Sequence, residues 1–128
     1  MPAKLECSHP VFLVANIKRA AEHYRDVLGF NFDRYWGEPP CFVMCLRDAA
    51  EIFLREAEKP EHVRPNGRVV CDTWDVYLRT NDIEALHAEF KANGAKIIRG
   101  PETAFYEMRE IEVQDLDGYV LCFGQDVS

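Results

Sequence analysis

Two segments of this 128-residue chain pass through the same order of elements, strand–helix–strand–strand–strand. That repetition constrains the fold more than any other feature. In the first segment Leu5–Val14 reads as a strand. Asn16 is an N-cap, and Ile17, Ala20, Ala21, Tyr24, Val27 and Leu28 form one helical stripe that closes at Gly29. Strands follow at Phe30–Trp36, Cys41–Leu46 and Glu51–Glu56. Residues 57–68, charged and broken by Pro60, Pro65 and Gly67, form a linker. The order then restarts with a strand run over Val69–Thr80. A helix opens at Asn81-Asp82, carries Ile83, Leu86 and Phe90 on its apolar stripe, and ends at Gly94. A short strand at Ala95–Ile98 and a break at Gly100-Pro101 precede the final hairpin. A unit of this kind has one sheet face that its single helix can cover. The other face must meet a second unit or a ligand.

The final hairpin is the most legible local element. Arg109–Gln114 alternates polar and apolar residues, Asp115-Leu116-Asp117-Gly118 has turn chemistry, and Tyr119–Phe123 is apolar and β-rich. Period-two geometry puts Ile111, Val113, Tyr119, Leu121 and Phe123 on one face. Glu110, Glu112, Val120 and Cys122 fall on the other. Carboxylates beside a thiol do not suit an apolar core, so that second face is the candidate ligand face.

Composition narrows the partners. A hydrophobic fraction of 48% supports a folded core. A formal net charge of −7 argues against nucleic acid and anionic membranes, both of which need clustered Lys and Arg. No run reaches the ~18 apolar residues of a membrane span, and Met1–His9 is too short and polar for a signal peptide. The five cysteines, Cys7, Cys41, Cys45, Cys71 and Cys122, contain no CxxC pair, so buried reduced thiols in a cytoplasmic protein are expected.

The residues that carry a family likeness are Val14-Ala15-Asn16-Ile17, Tyr24 and Leu28-Gly29-Phe30 in the first unit. In the second they are Asn81-Asp82-Ile83, Asn93-Gly94 and the hairpin from Tyr106 through Met108-Arg109-Glu110-Ile111 to Asp117-Gly118-Tyr119. With these the chain resembles the vicinal-oxygen-chelate superfamily of glyoxalases, bleomycin-resistance proteins and extradiol dioxygenases, most of all its bleomycin-resistance-like members. Leu116 stands where the family's hairpin usually has proline. The resemblance implies an α+β fold of two βαβββ modules, here 5–56 and 69–125, curled into an open eight-stranded cup with helices outside and paired as a homodimer. Within the family, metal enzymes place ligands at positions matched here by His9, Phe53, Asp75 and Cys122. Only His9 keeps the usual residue type, so no bound metal and no cofactor are expected.

Alternation from these positions directs Val11, Leu13, Glu51, Arg55, Tyr77, Arg79, Glu110 and Glu112 inward as well. Trp36, Phe42, Trp74 and Tyr106 fall at the rim. The candidate ligand-binding set is His9, Phe53, Asp75, Tyr77, Tyr106, Glu110 and Cys122. An aromatic, acidic cup suits a cationic or flat organic ligand. The expected function is therefore metal-free sequestration of a small molecule, as in bleomycin-resistance proteins. The alternative is a metal-dependent lyase, isomerase or thiol transferase resembling glyoxalase I or the fosfomycin-resistance enzymes.

Overall fold

A computed structural model describes residues 2–128. Both units are present. The first comprises β1 (Val11–Val14), α1 (Ile17–Asp26), β2 (Tyr35–Trp36), β3 (Phe42–Arg47) and β4 (Ala50–Glu56). The second comprises β5 (Val76–Arg79), α2 (Ile83–Ala92), β6 (Lys96–Thr103), β7 (Met108–Gln114) and β8 (Val120–Asp126). The strands form two open four-stranded sheets, β1-β4-β3-β2 and β5-β8-β7-β6. In each, the strand before the helix pairs parallel with the last strand of its unit.

The helices begin where the sequence places them. Asn16 is extended, Asp82 lies outside the helical region, and their side chains accept from the Arg19 and Ala85 amides. Those bonds satisfy amides that no helical carbonyl can reach. A second cap comes from the sheet: Glu56 accepts from the Ile17 amide, and Gln125 accepts from the Ile83 amide at the equivalent place. Gly29 and Gly94 follow the helices at positive φ, where a side chain is strained.

Apolar residues on the helix side of both sheets merge into one core. It includes Tyr24, Leu28, Phe30, Ile52, Leu54, Phe90, Ile111, Leu121 and Phe123. Two polar clasps join the units across it. The Asp115 turn reaches α1, where the Tyr24 hydroxyl donates to the carboxylate at 2.6 Å. The β3–β4 turn reaches α2, where Arg47 donates two bonds to Glu89 at 2.7 and 2.8 Å.

Several element bounds differ from the sequence reading. Leu5–Pro10 carries no strand: the register with β4 begins at Val11 opposite Phe53, and Pro10 before it has no amide to extend the ladder. Between Phe30 and Trp36 only Asn31 and Tyr35-Trp36 pair. Val69 and Val70 are exposed, and β5 starts only at Val76. Conversely, β6 runs through the expected break, since Gly100 takes φ of 87° and the register shifts there as a bulge. Of the cysteines, Cys45 and Cys122 are buried, Cys41 is half-buried, and Cys7 and Cys71 are exposed.

Candidate functional site

The helix-free face of β7 and β8 carries the densest chemistry. Glu110 is 1% exposed, yet it faces away from the helix-side core. Its carboxylate accepts from the Tyr77 hydroxyl at 2.8 Å, the Tyr106 hydroxyl at 2.7 Å and Arg99 Nη2 at 2.9 Å. Burial opposes its ionisation. The bonds from Tyr106, Arg99 and Tyr77 outweigh burial and hold its pKa below the usual carboxylate value. The Tyr106 phenol, bound to that charge, is pushed up to about 12.

Arg99 also binds Glu112 and Glu102, so one guanidinium serves three carboxylates. The cluster therefore keeps an excess of negative charge. Trp74 completes it, donating its indole N–H to Glu112 at 2.9 Å and packing on Tyr77 with ring centroids 5.0 Å apart. Cys122 lies beneath, wholly buried. Desolvation, then the Glu110 charge, pushes its thiol up to about 12, which leaves it a poor nucleophile at neutral pH.

Gly124 makes the Tyr77 pose possible. It pairs with Glu110 across β7–β8, and a Cβ built on it overlaps the Tyr77 hydroxyl. Gly124→Ala is expected to displace Tyr77 from Glu110 and cost about 1–3 kcal/mol. Urea unfolding measures the cost. An unchanged midpoint would show that the ring has room to spare.

The helix-free face of the first unit is different in kind. Phe53 stacks on His9 at 4.8 Å and meets Phe42 edge-on at 5.6 Å. His9 Nδ1 lies 2.6 Å from Glu51 Oε2, but out of line for a hydrogen bond. Around them Val11, Leu13, Met44 and Leu46 are exposed. Asp75 sits at the start of the second unit. One of its oxygens accepts from the Asn66 amide and the other from the Val120 amide, both at 2.8 Å, so its carboxylate ties the linker to β8.

The seven expected residues thus fall into separate groups. Tyr77, Tyr106, Glu110 and Cys122 come together on one face, and His9 and Phe53 come together on the other. Asp75 is occupied by backbone. Among the described residues no hydrogen bond, ion pair or aromatic contact joins the two helix-free faces. Arg99 escaped the sequence reading because a break was placed at Gly100. The Lys96–Arg99 alternation opposite three glutamates was the available signal.

The four family ligand positions do not suit a metal. Phe53 has no donor atom, both Asp75 oxygens hold amides, Cys122 is wholly buried beneath the Glu110 cluster on the other face, and His9 has only Glu51 and Cys7 beside it. Among the described residues no three His, Cys, Asp or Glu side chains are placed to hold a metal ion.

The model of the Glyoxalase/Bleomycin resistance protein/Dioxygenase superfamily matches residues 7–123. Among solved structures, TnmS3, an antibiotic binding protein from Streptomyces sp. CB03234, matches with a TM-score of 0.74 and 19% identity. The match covers 98% of this chain and 99% of that one. TioX from Micromonospora sp. ML1 gives 0.73 at 19% identity over 94% and 99%. A glyoxalase-related enzyme from Clostridium phytofermentans gives 0.76 at 16% identity over 98% of each chain. At these identities the likeness is one of fold. Comparison with curated proteins gives no match.

Proposed function

The chain belongs to the glyoxalase/bleomycin resistance protein/dioxygenase superfamily, and on that premise we propose that it is a metal-free binding protein that sequesters a cationic, aromatic small molecule. The observation that carries this is Glu110: an ionised carboxylate, 1% exposed, on a helix-free sheet face among Tyr77, Tyr106 and Trp74. A cation over those rings gains roughly 0.5–2 kcal/mol per contact besides its attraction to the carboxylates. Tyr77, Tyr106 and Glu110 are the proposed contacts, with Cys122 as the floor beneath them. His9 and Phe53 lie on the separate face of the first unit and supply an apolar, stacking wall only when contributed by a second copy. Asp75 holds the frame and does not touch the ligand. TnmS3, described as an antibiotic binding protein, is a precedent for such a role on this fold.

Calorimetry with bleomycin and with a planar cationic dye tests the reading against a sulfonated dye of the same size. The cationic compounds are expected to bind at micromolar concentration and the sulfonated one not to bind. The reverse order, with the anion held by Arg79 or Arg99, would overturn it.

Metal plays no part in this proposal. Elemental analysis of the purified protein is expected to find no stoichiometric transition metal. One metal per chain, lost in His9→Ala, would favour a lyase or isomerase instead.

A homodimer is part of the same proposal. Val11, Leu13, Met44 and Leu46 leave an apolar strip exposed beside Phe53, and a second copy laid over it would enclose a ligand that one chain leaves open to water. Light scattering at tens of micromolar is expected to give twice the 14.8 kDa chain mass, and a monomer would contradict it. No helix of the described residues is long and apolar enough to cross a membrane. The buried Cys45 and Cys122 thiols suit a reducing compartment, and the cytoplasm is the proposed location.

A further inference from the structure

The two units match closely enough that a departure between them is informative. Val11 pairs with Phe53 as Tyr77 pairs with Cys122, and Leu13 pairs with Arg55 as Arg79 pairs with Gly124. Asn16 corresponds to Asp82, Tyr24 to Phe90 and Glu56 to Gln125, each in the same role or place. At the closing turns, Arg47 pairs with Ala50 as the Asp115 amide pairs with the Tyr119 carbonyl. By that register the counterpart of Tyr119 is Ala50, and the counterpart of Phe12 is Leu78.

Tyr119, in the second unit, performs a specific task against the start of the first. Its ring stacks on Phe12 at 4.3 Å with a 6° interplanar angle, and its hydroxyl donates to the Leu13 carbonyl at 2.6 Å. Asp117, from the same turn, accepts from the Ala15 amide at 2.9 Å. Turn, strand end and helix start are thereby sealed together. Where the β3–β4 turn meets the second unit, the turn is shorter, Ala50 brings no ring, and among the described residues Asp48 makes no matching bond to Asn81. A cleft of about 460 Å³ opens there, between the β3–β4 turn, the end of β5 and the first turns of α2. Leu78, Leu86, Phe30 and Phe123 form its apolar part, Asp48, Arg79 and Asp82 stand at its mouth, and the Arg47–Glu89 pair stands at its side. It lies on the helix side of the sheets, away from Glu110.

We infer that this cleft is a second small-molecule site, one that accepts a single neutral phenolic ring in the place Tyr119 fills in the other half. The apolar lining supplies the contact that Phe12 gives Tyr119. The Arg79 carbonyl, counterpart of the Leu13 carbonyl, marks where a hydroxyl would donate. The first turn of α2 does not call for an anion, because its amides at Asp82, Ile83 and Ala85 already bind Thr80, Gln125 and Asp82. Of the charged side chains that line the cleft, Arg47 is paired with Glu89 and Arg79 with Asp126, so a charged headgroup is not the expected occupant.

The experiment is an amide NMR titration of the intact protein with p-cresol. Binding is expected at roughly 0.1–1 mM, as suits so few heavy atoms, with the largest shifts at Leu78, Ala85 and Leu86. Ala50→Tyr, which restores the missing ring, is expected to weaken binding at least tenfold. Ala50→Leu narrows the same space with a smaller side chain and decides the matter if the tyrosine variant does not fold. Shifts centred on Tyr77, Glu110 and Cys122, or wild-type affinity in folded variants at Ala50, would overturn the assignment. Wild-type affinity in folded Ala50 variants leaves the binding proposed for the Glu110 face untouched, whereas shifts centred on Tyr77, Glu110 and Cys122 would place the neutral phenol on that face instead.

Discussion

Replacing Asp115 with alanine is expected to destabilise the protein by about 2–4 kcal/mol, measured by urea unfolding at neutral pH. The carboxylate is 5% exposed. It accepts from the Tyr24 hydroxyl at 2.6 Å and from the Asp117 and Tyr119 amides at 2.9 Å each. Alanine leaves the buried hydroxyl and the Tyr119 amide without an acceptor, and buried donors left unsatisfied cost more than the average hydrogen bond contributes. It also removes one of the bonds, beside Asp117–Ala15 and Tyr119–Leu13, that hold this turn to the first unit. A cost within 0.5 kcal/mol would show that water or a neighbour replaces the carboxylate.

The same residue carries a pH signature. Desolvation raises the Asp115 pKa from 3.8 to about 6, against the bonds that favour its charge. A raised carboxylate pKa means that the folded state holds the proton more tightly than the unfolded chain. Its stabilising contribution is complete below about pH 4 and is lost as the pH rises through about 6. Relative to Asp115→Asn, which does not titrate, the wild type is expected to lose up to roughly 3 kcal/mol across that window. Parallel stability–pH curves for the two proteins would refute this.

Periodicity made the helices and the final hairpin legible, because each has a local signal: a cap, an apolar stripe, a turn glycine. The short β5 was not legible within Val69–Thr80. Its run of β-formers is longer than the four residues that β8 can pair, and exposed Val69 and Val70 look no different in sequence from buried ones. The Glu110 face was half legible. Alternation placed Glu110, Glu112, Tyr77 and Cys122 together, but Arg99 depends on a bulge at Gly100 that reads as a strand break. Asp75 shows the opposite limit. Its position at a family ligand site says nothing of the two amides that occupy it, since those belong to segments distant in the chain. The Tyr119–Ala50 difference was visible in the letters all along. It gained meaning only when the strand registers fixed which residues correspond.

Glu110→Gln is expected to weaken binding of a cationic dye about tenfold or more while the fold survives. At an effective dielectric near 20, a cation about 5 Å from a carboxylate gains roughly 3 kcal/mol. Arg99 offsets part of that, so a loss of one decade is the conservative figure. Glutamine keeps an acceptor for the Tyr77 and Tyr106 hydroxyls, which confines the structural cost to about 1–3 kcal/mol. A second readout separates a local electrostatic effect from general loosening. The hydrogen bond from Tyr106 to Glu110 is the first cause of its raised pKa, so removing the charge should let that phenol ionise at lower pH, seen in a tyrosine absorbance titration. Weaker dye binding together with earlier Tyr106 ionisation would locate the ligand at this carboxylate. If Tyr106 ionises earlier but the dye binds as before, Glu110 only braces the sheet and the ligand lies elsewhere.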